Sequence, residues 1–166
     1  MAKNIEEKAY ELGKEYESTY TGCSQCVLAA LQDAFGMRND YVFKAATGLA
    51  GGGGCTDGSC GAYSGASVFL SSLIGRERDD FADTKGNLHG SFEMMGELHQ
   101  RFIREYGSII CRDIQTKLFG RPYYLPDMDE RAKFEEAGAY TRHCPEVVGK
   151  AARWAAELVN QAKLAQ

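Results

Sequence analysis

The sequence predicts an all-α, single-domain helical bundle with short loops. Three observations predict it. Apolar residues recur every three or four positions in one segment after another. Glycine, or glycine with proline, interrupts these segments where helices would end. Strand signals are weak: no alternation persists, and no Asn-Gly or Asp-Gly turn sits between β-branched runs. The 166 residues favour one domain over 1–166. A domain of this size buries roughly 70% of its unfolded surface, so its core needs no disulfide staples.

Residues 4–20 form the first expected helix, with Ile5, Ala9, Leu12, Tyr16 and Tyr20 at helical spacing. Asn4 is its N-cap, and Glu6 and Glu7 suit the positive end of the helix dipole. Thr21-Gly22 breaks it. Ser24 to Phe35 is a strongly apolar helix through Val27, Leu28, Ala30, Leu31 and Ala34, closed by Gly36. Asp40 then caps a short helix from Tyr41 to Leu49, which ends in a flexible glycine run, Gly51 to Gly54. Gly61 to Ile74 is a helix of small residues, whose Gly61, Ala62, Gly65 and Ala66 allow close approach of another backbone or a cofactor.

Arg76 to Ser91 is polar and patternless and reads as a surface connection. Helical spacing resumes from Phe92 to Tyr106 and stops at Gly107. Cys111 to Phe119 is a short helix closed by Gly120, with Pro122 and Pro126 beyond. Asp127 to Tyr140 reads as an acidic amphipathic helix. Pro145 opens a final long helix through Val148, Ala152, Ala155, Leu158 and Val159. There is no internal repeat.

The net charge of −4, with basic and acidic residues interleaved, argues against nucleic acid as the partner. No apolar leader is visible at the N-terminus, and no stretch approaches the ~20 apolar residues of a membrane span. The expected compartment is the cytoplasm, where stable disulfides are uncommon. Six cysteines in such a chain point to metal binding or redox chemistry.

Their placement says more than their number. Cys23 starts the second helix and Cys26 follows one turn later. Cys55 lies in the glycine-rich loop, and Cys60 at the start of the small-residue helix. Cys111 opens a short helix, and Cys144 directly precedes Pro145. Four helix starts thus each offer a sulfur. If they converge, their dipoles favour thiolate over thiol and suit an anionic iron–sulfur cluster, by roughly 0.3–1 kcal/mol each.

Single motifs are less specific. Cys23-Ser24-Gln25-Cys26 is a C-x-x-C, but no second one follows as in a zinc ribbon. Val27 stands where a c-type haem site needs His. Cys55 and Cys60 have one ferredoxin-like spacing without the next cysteine. Cys26, beside Val27 and Ala30, reads equally well as an alanine-sized core residue. His143 beside Cys144 could tune a thiol or ligate a metal, but a structural histidine is the commoner reading. His89, His99 and Trp154 read as structural, Arg112 as a solvated cation, and Asp79-Asp80 and Asp127-Asp129 as surface. The glycine run lacks the Lys of a phosphate-binding loop.

Taken in order, Cys23-Ser24-Gln25-Cys26-Val27-Leu28, Cys60-Gly61-Ala62-Tyr63-Ser64-Gly65, Cys111 and Cys144 resemble the C_GCAxxG_C_C family of redox-active proteins. The resemblance covers nearly the whole chain. It implies that Cys23, Cys60, Cys111 and Cys144 are the family's characteristic four. The family is similar to the non-haem part of split-Soret cytochromes, which binds an iron–sulfur cluster; without C-x-x-C-H the haem part does not carry over. Cys26 and Cys55 depart from the family pattern and could add ligands, replace them or form a redox pair.

The first expectation is therefore an electron carrier whose iron–sulfur cluster is held by Cys23, Cys60, Cys111 and Cys144, with Cys55 and Cys26 as alternates. Gly54, Gly61 and Ala62 would border the cofactor. A second is a metal-free thiol oxidoreductase in which Cys60 attacks and Cys55 or Cys23 resolves. A third is a zinc-stabilised interaction module. A redox partner protein is implied by the first, and the chain leaves a homodimer open.

Overall fold

In the computed structural model, which describes residues 4–164, the chain is all-α. The three N-terminal residues that enter the leader reading lie outside this range. Eight helices follow in order among the described residues: α1 (Ile5–Tyr20), α2 (Cys23–Phe35), α3 (Asp40–Ala45), α4 (Gly61–Ile74), α5 (Asn87–Tyr106), α6 (Cys111–Phe119), α7 (Met128–Glu136) and α8 (Cys144–Gln161). No helix is long and apolar enough to cross a membrane among the described residues.

The bundle is built on α1, α2, α4 and α8. Helix α8 packs along α1, α2 and α4, and α5 covers α4. Leu28, Leu31, Phe69, Leu70, Leu98, Phe102, Val148 and Val159 fill the core between them. Across α1 and α8, Tyr10 Oη donates to Glu146 Oε1 at 2.6 Å while Lys14 pairs with Glu146 Oε2 at 3.0 Å. A smaller cluster of Tyr123, Leu125, Phe134 and Ala139 lies apart from this core, with Phe119 and Tyr140 against it.

Most sequence-predicted boundaries hold. Asn4 Oδ1 accepts from the Glu7 N–H at 2.8 Å, as an N-cap should. Gly36, Gly107 and Gly120 end their helices with positive φ. Four boundaries differ. The cap of α3 is Asn39, whose Oδ1 accepts from the Val42 N–H at 3.1 Å, and not Asp40. Helix α3 stops at Ala45 rather than Leu49, because the Thr47 hydroxyl takes the Lys44 carbonyl at 2.7 Å and a 3₁₀ turn over Thr47–Leu49 follows. Helix α5 begins at Asn87, inside the expected connection, because the Asp83 carboxylate accepts the Leu88 N–H at 3.1 Å. Helix α7 ends at Glu136, since Gly138 takes φ 87°, and a π-helical turn over Ala139–His143 leads straight into α8.

The glycine run is also not a loose loop. Gly51, Gly52, Gly53 and Gly54 all have φ between 63° and 85°, and Cys55 continues at 62°. Five consecutive left-handed residues make a turn of the wrong hand for side chains, so only glycine can supply most of it. Its N–H groups are used: Gly54 donates to Gly48 O at 2.9 Å, and Cys55 to Ala50 O at 3.2 Å.

Candidate functional site

The four expected helix starts carry their cysteines. Cys23, Cys111 and Cys144 are the first residues of α2, α6 and α8, and Cys60 immediately precedes α4. Together with Cys55 they line one cavity of about 480 Å³ between the main bundle and the smaller aromatic cluster. Pockets of a few hundred Å³ suit a group the size of a small molecule, larger than one ion.

Two local devices assemble this wall. The first is a single antiparallel bridge between Ser59 and Ile110, with Cys60 N–H on Ile109 O at 2.7 Å and Cys111 N–H on Gly58 O at 2.9 Å. Strand parity puts Cys60 and Cys111 on the same side of this bridge, so both sulfurs leave it in one direction. The second is the close crossing of α4 over α2. A Cβ at Gly61 would overlap Cys23 Sγ, and one at Gly65 would overlap the Ser24 carbonyl oxygen. The two glycines therefore let α4 descend onto α2 until Cys60 and Cys23 share a wall. Ser24 locks the crossing from below by donating to Ala46 O at 2.8 Å.

The helix starts on this wall are left without side-chain caps, whereas Asn4, Asn39 and Asp127 cap α1, α3 and α7. The N–H groups of Ala62 and Tyr63 act on Cys60, and that of Gly51 on Cys23, each favouring negative charge on sulfur. Gln115, buried, donates to Cys111 Sγ at 3.5 Å and accepts from Tyr123 N–H at 2.7 Å, which ties α6 to the smaller cluster.

Burial nevertheless overrides the expected thiolate bias. It pushes the Cys60 thiol up to about 12, with Cys111 adding to the rise. Cys23 and Cys144 are pushed well above the ordinary thiol range, first by burial and then by neighbouring Cys60 and Glu17. Cys111 is also raised by burial, against its Gln115 hydrogen bond. Helix dipoles worth below about 1 kcal/mol do not offset desolvation of this size. All six cysteines are free thiols. Among the described residues no three His, Cys, Asp or Glu side chains gather closely enough to hold a single metal ion. The sulfurs ring a space rather than a point.

Cys26 is buried but does not line the cavity; its thiol contacts the Thr21 carbonyl at 3.1 Å. Ala62 is on the cavity wall, Gly61 is packed behind it against Cys23, and Gly54 is exposed at the far end of the glycine turn. His143 lies against the Phe119 ring and takes the Arg142 guanidinium, outside the lining. Arg112 is exposed beside Asp113, and His89 beside Glu93. His99 edges the Tyr63 ring, and Trp154 packs on Phe102.

Sequence reading missed Glu17 and Gln115. Glu17 is 1% exposed, lines the cavity, and has no hydrogen-bond partner for Oε2. Burial raises its pKa to about 7. A signal existed: Glu17 continues the buried stripe of Ala9 and Gly13 at four-residue steps along α1.

A family model described as "Putative redox-active protein (C_GCAxxG_C_C)" matches residues 21–158. No curated protein and no solved structure matches the chain significantly.

Proposed function

Because the chain belongs to the C_GCAxxG_C_C family, we propose that Cys23, Cys60, Cys111 and Cys144 hold an iron–sulfur cluster through which the protein carries electrons, with Cys55 as a fifth sulfur on the same wall. The observation that carries this reading is the convergence of those five sulfurs on one cavity with room for more than one ion. A bound iron–sulfur cluster would supply one-electron chemistry at a potential set by charge, hydrogen bonds and burial. The residues present fit such a group: thiols as donors, N–H groups of Gly51, Ala62 and Tyr63 facing sulfur, and a mostly apolar remainder in which Glu17, Arg131 and Glu135 are the charged members.

Each part of the wall has a task in this reading. Uncapped helix starts and inward N–H groups stabilise negative sulfur. Leu118, Phe119, Leu125 and Phe134 supply apolar lining beside the sulfurs. The raised thiol pKa values mean that ligation displaces protons, so loading acidifies the medium. A redox partner protein and a cytoplasmic location belong to the same proposal.

The alternatives have less support. A metal-free oxidoreductase needs a thiolate at Cys60, and burial holds that thiol protonated at neutral pH. A single zinc ion needs about four donors around one point, and these side chains surround a larger volume.

The test is the UV–visible spectrum of protein purified without oxygen, before and after dithionite. Broad visible absorption that bleaches on reduction is expected, and Cys60→Ser should abolish it together with iron content. A protein that stays colourless after anaerobic supply of iron and sulfide would overturn the proposal.

A further inference from the structure

The cysteines form only part of their cavity. The rest of the lining is mostly apolar, and Phe119, Phe134 and Tyr140 stand on it as a run of rings. Their centroids are 5.2 Å apart from Phe119 to Phe134 and 5.6 Å from Phe134 to Tyr140. The polar groups beside the sulfurs are few: the Thr21 and Tyr140 hydroxyls, the Gln115 amide, Glu17, Glu135 and Arg131. A largely apolar cavity of about 480 Å³ with a few polar groups is the usual form of a small-molecule site.

Arg131 shows what chemistry that molecule must bring. It is half-buried and is the cation of the lining. Its Nε and Nη2 donate to Leu125 O at 3.0 and 2.9 Å, which fixes the guanidinium and leaves Nη1 without a protein partner among the described residues. Asp127 and Glu135 each lie four residues away, the spacing of helical ion pairs, yet neither pairs with it. Asp127 instead caps α7 through the Asp129 and Glu130 N–H groups at 2.9 Å, Glu130 takes Arg121 and Lys133, and Glu135 is exposed to water. Nor does Arg131 serve the sulfurs. Beyond burial, the thiols of Cys23, Cys60, Cys111 and Cys144 are acted on by one another, by Cys55, by Glu17 and Asp57, by Gln115 and by backbone N–H groups. The guanidinium is thus fixed in the cavity wall, partly out of water, with no anion of the chain against it.

We infer that the cavity binds a small aromatic monocarboxylate, with its carboxylate on the Arg131 guanidinium and its ring against Phe119 and Phe134. A partly desolvated charge gains most from an anion that the ligand supplies, and the planar fork of Arg matches a carboxylate. The apolar lining takes the body, and its rings favour an aromatic one. A dianionic phosphate would call for a second cation, which the lining lacks. The inference goes beyond electron carriage, since a small molecule shares the cavity with the group on the sulfurs, and it does not depend on the iron–sulfur reading.

The test is calorimetric titration of the full chain, purified without oxygen, with phenylacetate and with its neutral counterpart 2-phenylethanol. Wild type should bind phenylacetate about tenfold or more tightly than the alcohol. Arg131→Gln should lose that preference and bind the alcohol unchanged. Arg131→Lys, which keeps the charge and loses the fork, should retain part of the preference. It carries the comparison if Arg131→Gln does not fold. Failure of wild type to bind phenylacetate, equal affinity for the two probes, or an undiminished preference in the folded variants would each overturn the inference. Iron and sulfide uptake is measured on the same samples. Uptake without phenylacetate binding overturns this inference alone, and binding without uptake leaves it standing and overturns the iron–sulfur reading.

Discussion

Cys26 and Cys60 are both buried cysteines with strongly raised thiol pKa values, yet their surroundings differ. Cys60 stands before a helix, with two N–H groups acting on its sulfur, on the wall of the cavity. Cys26 is one turn inside its helix, contacts the Thr21 carbonyl and the Glu17 carboxyl, and lies off the wall. Replacing Cys26 by Ala should therefore cost stability and not metal: about 1 kcal/mol for the lost packing and contact. Iron content after reconstitution should be unchanged, and a loss of more than one iron would show that Cys26 is a ligand. The titration of Glu17 belongs to this scale as well. Its folded pKa of about 7 lies above the 4.5 of an unperturbed carboxyl. Between those values the folded state holds a proton that the unfolded state has released, so stability falls as pH rises. Below the lower value both states are protonated and the group has no effect. The loss is complete above the upper value and amounts to roughly 3 kcal/mol. Urea unfolding of the metal-free protein from pH 4 to 8 should show this decline, and Glu17→Gln should flatten it. A variant with the same slope as wild type would place the pH dependence elsewhere.

Among the elements, the junction of α2 and α4 sets the site. The small residues along the first half of α4 bring its axis close enough to α2 for Cys60 and Cys23 to face one space. Gly65 has an ordinary helical backbone, so a methyl group there tests contact and not conformation. Gly65→Ala should force the two helices apart against the Ser24 carbonyl and destabilise the fold by about 1–3 kcal/mol. Its iron uptake should fall further than its stability alone explains, because Cys60 would move away from Cys23. Uptake equal to that of wild type in a folded Gly65→Ala protein would show that the cysteine wall does not depend on this crossing. The left-handed turn Gly51–Gly54 acts in the same way from the other side. It reverses the chain tightly enough to deliver Cys55 beside Gly51 and to press Gly52 against Gly58.

At the scale of the whole molecule, a large apolar bundle and a small aromatic cluster meet across the cysteine cavity. In the bundle, α1, α2, α4 and α8 bury their apolar stripes on one another, as an amphipathic four-helix arrangement must. The smaller cluster has far less to bury. It reaches the bundle through Gln115 of α6, which accepts from the Tyr123 N–H, and through the π-helical turn before α8. A group held by Cys23 and Cys60 on the bundle side and by Cys55, Cys111 and Cys144 near the junction would link the two parts covalently.

Most of the helices were legible in the chain itself, because their information is local. Asn4, Gly36, Gly107, Gly120 and Pro145 act on the backbone within a turn of where they stand, and periodicity reveals which face is apolar. The same locality marked Cys23, Cys60, Cys111 and Cys144 as helix starts. The boundaries that differed were decided within a few residues, by the side chains of Asn39, Thr47 and Asp83 on nearby backbone groups and by the positive φ of Gly138, with no change in apolar pattern. What only the tertiary structure decided is non-local. It brought four helix starts to one cavity, took Cys26 off its wall, and replaced an expected thiolate bias by protonated, buried thiols. It also put Glu17 inside, where a charged residue reads as surface. Burial is a property of what packs across from a residue, and desolvation outweighs the helix dipole only once that packing exists.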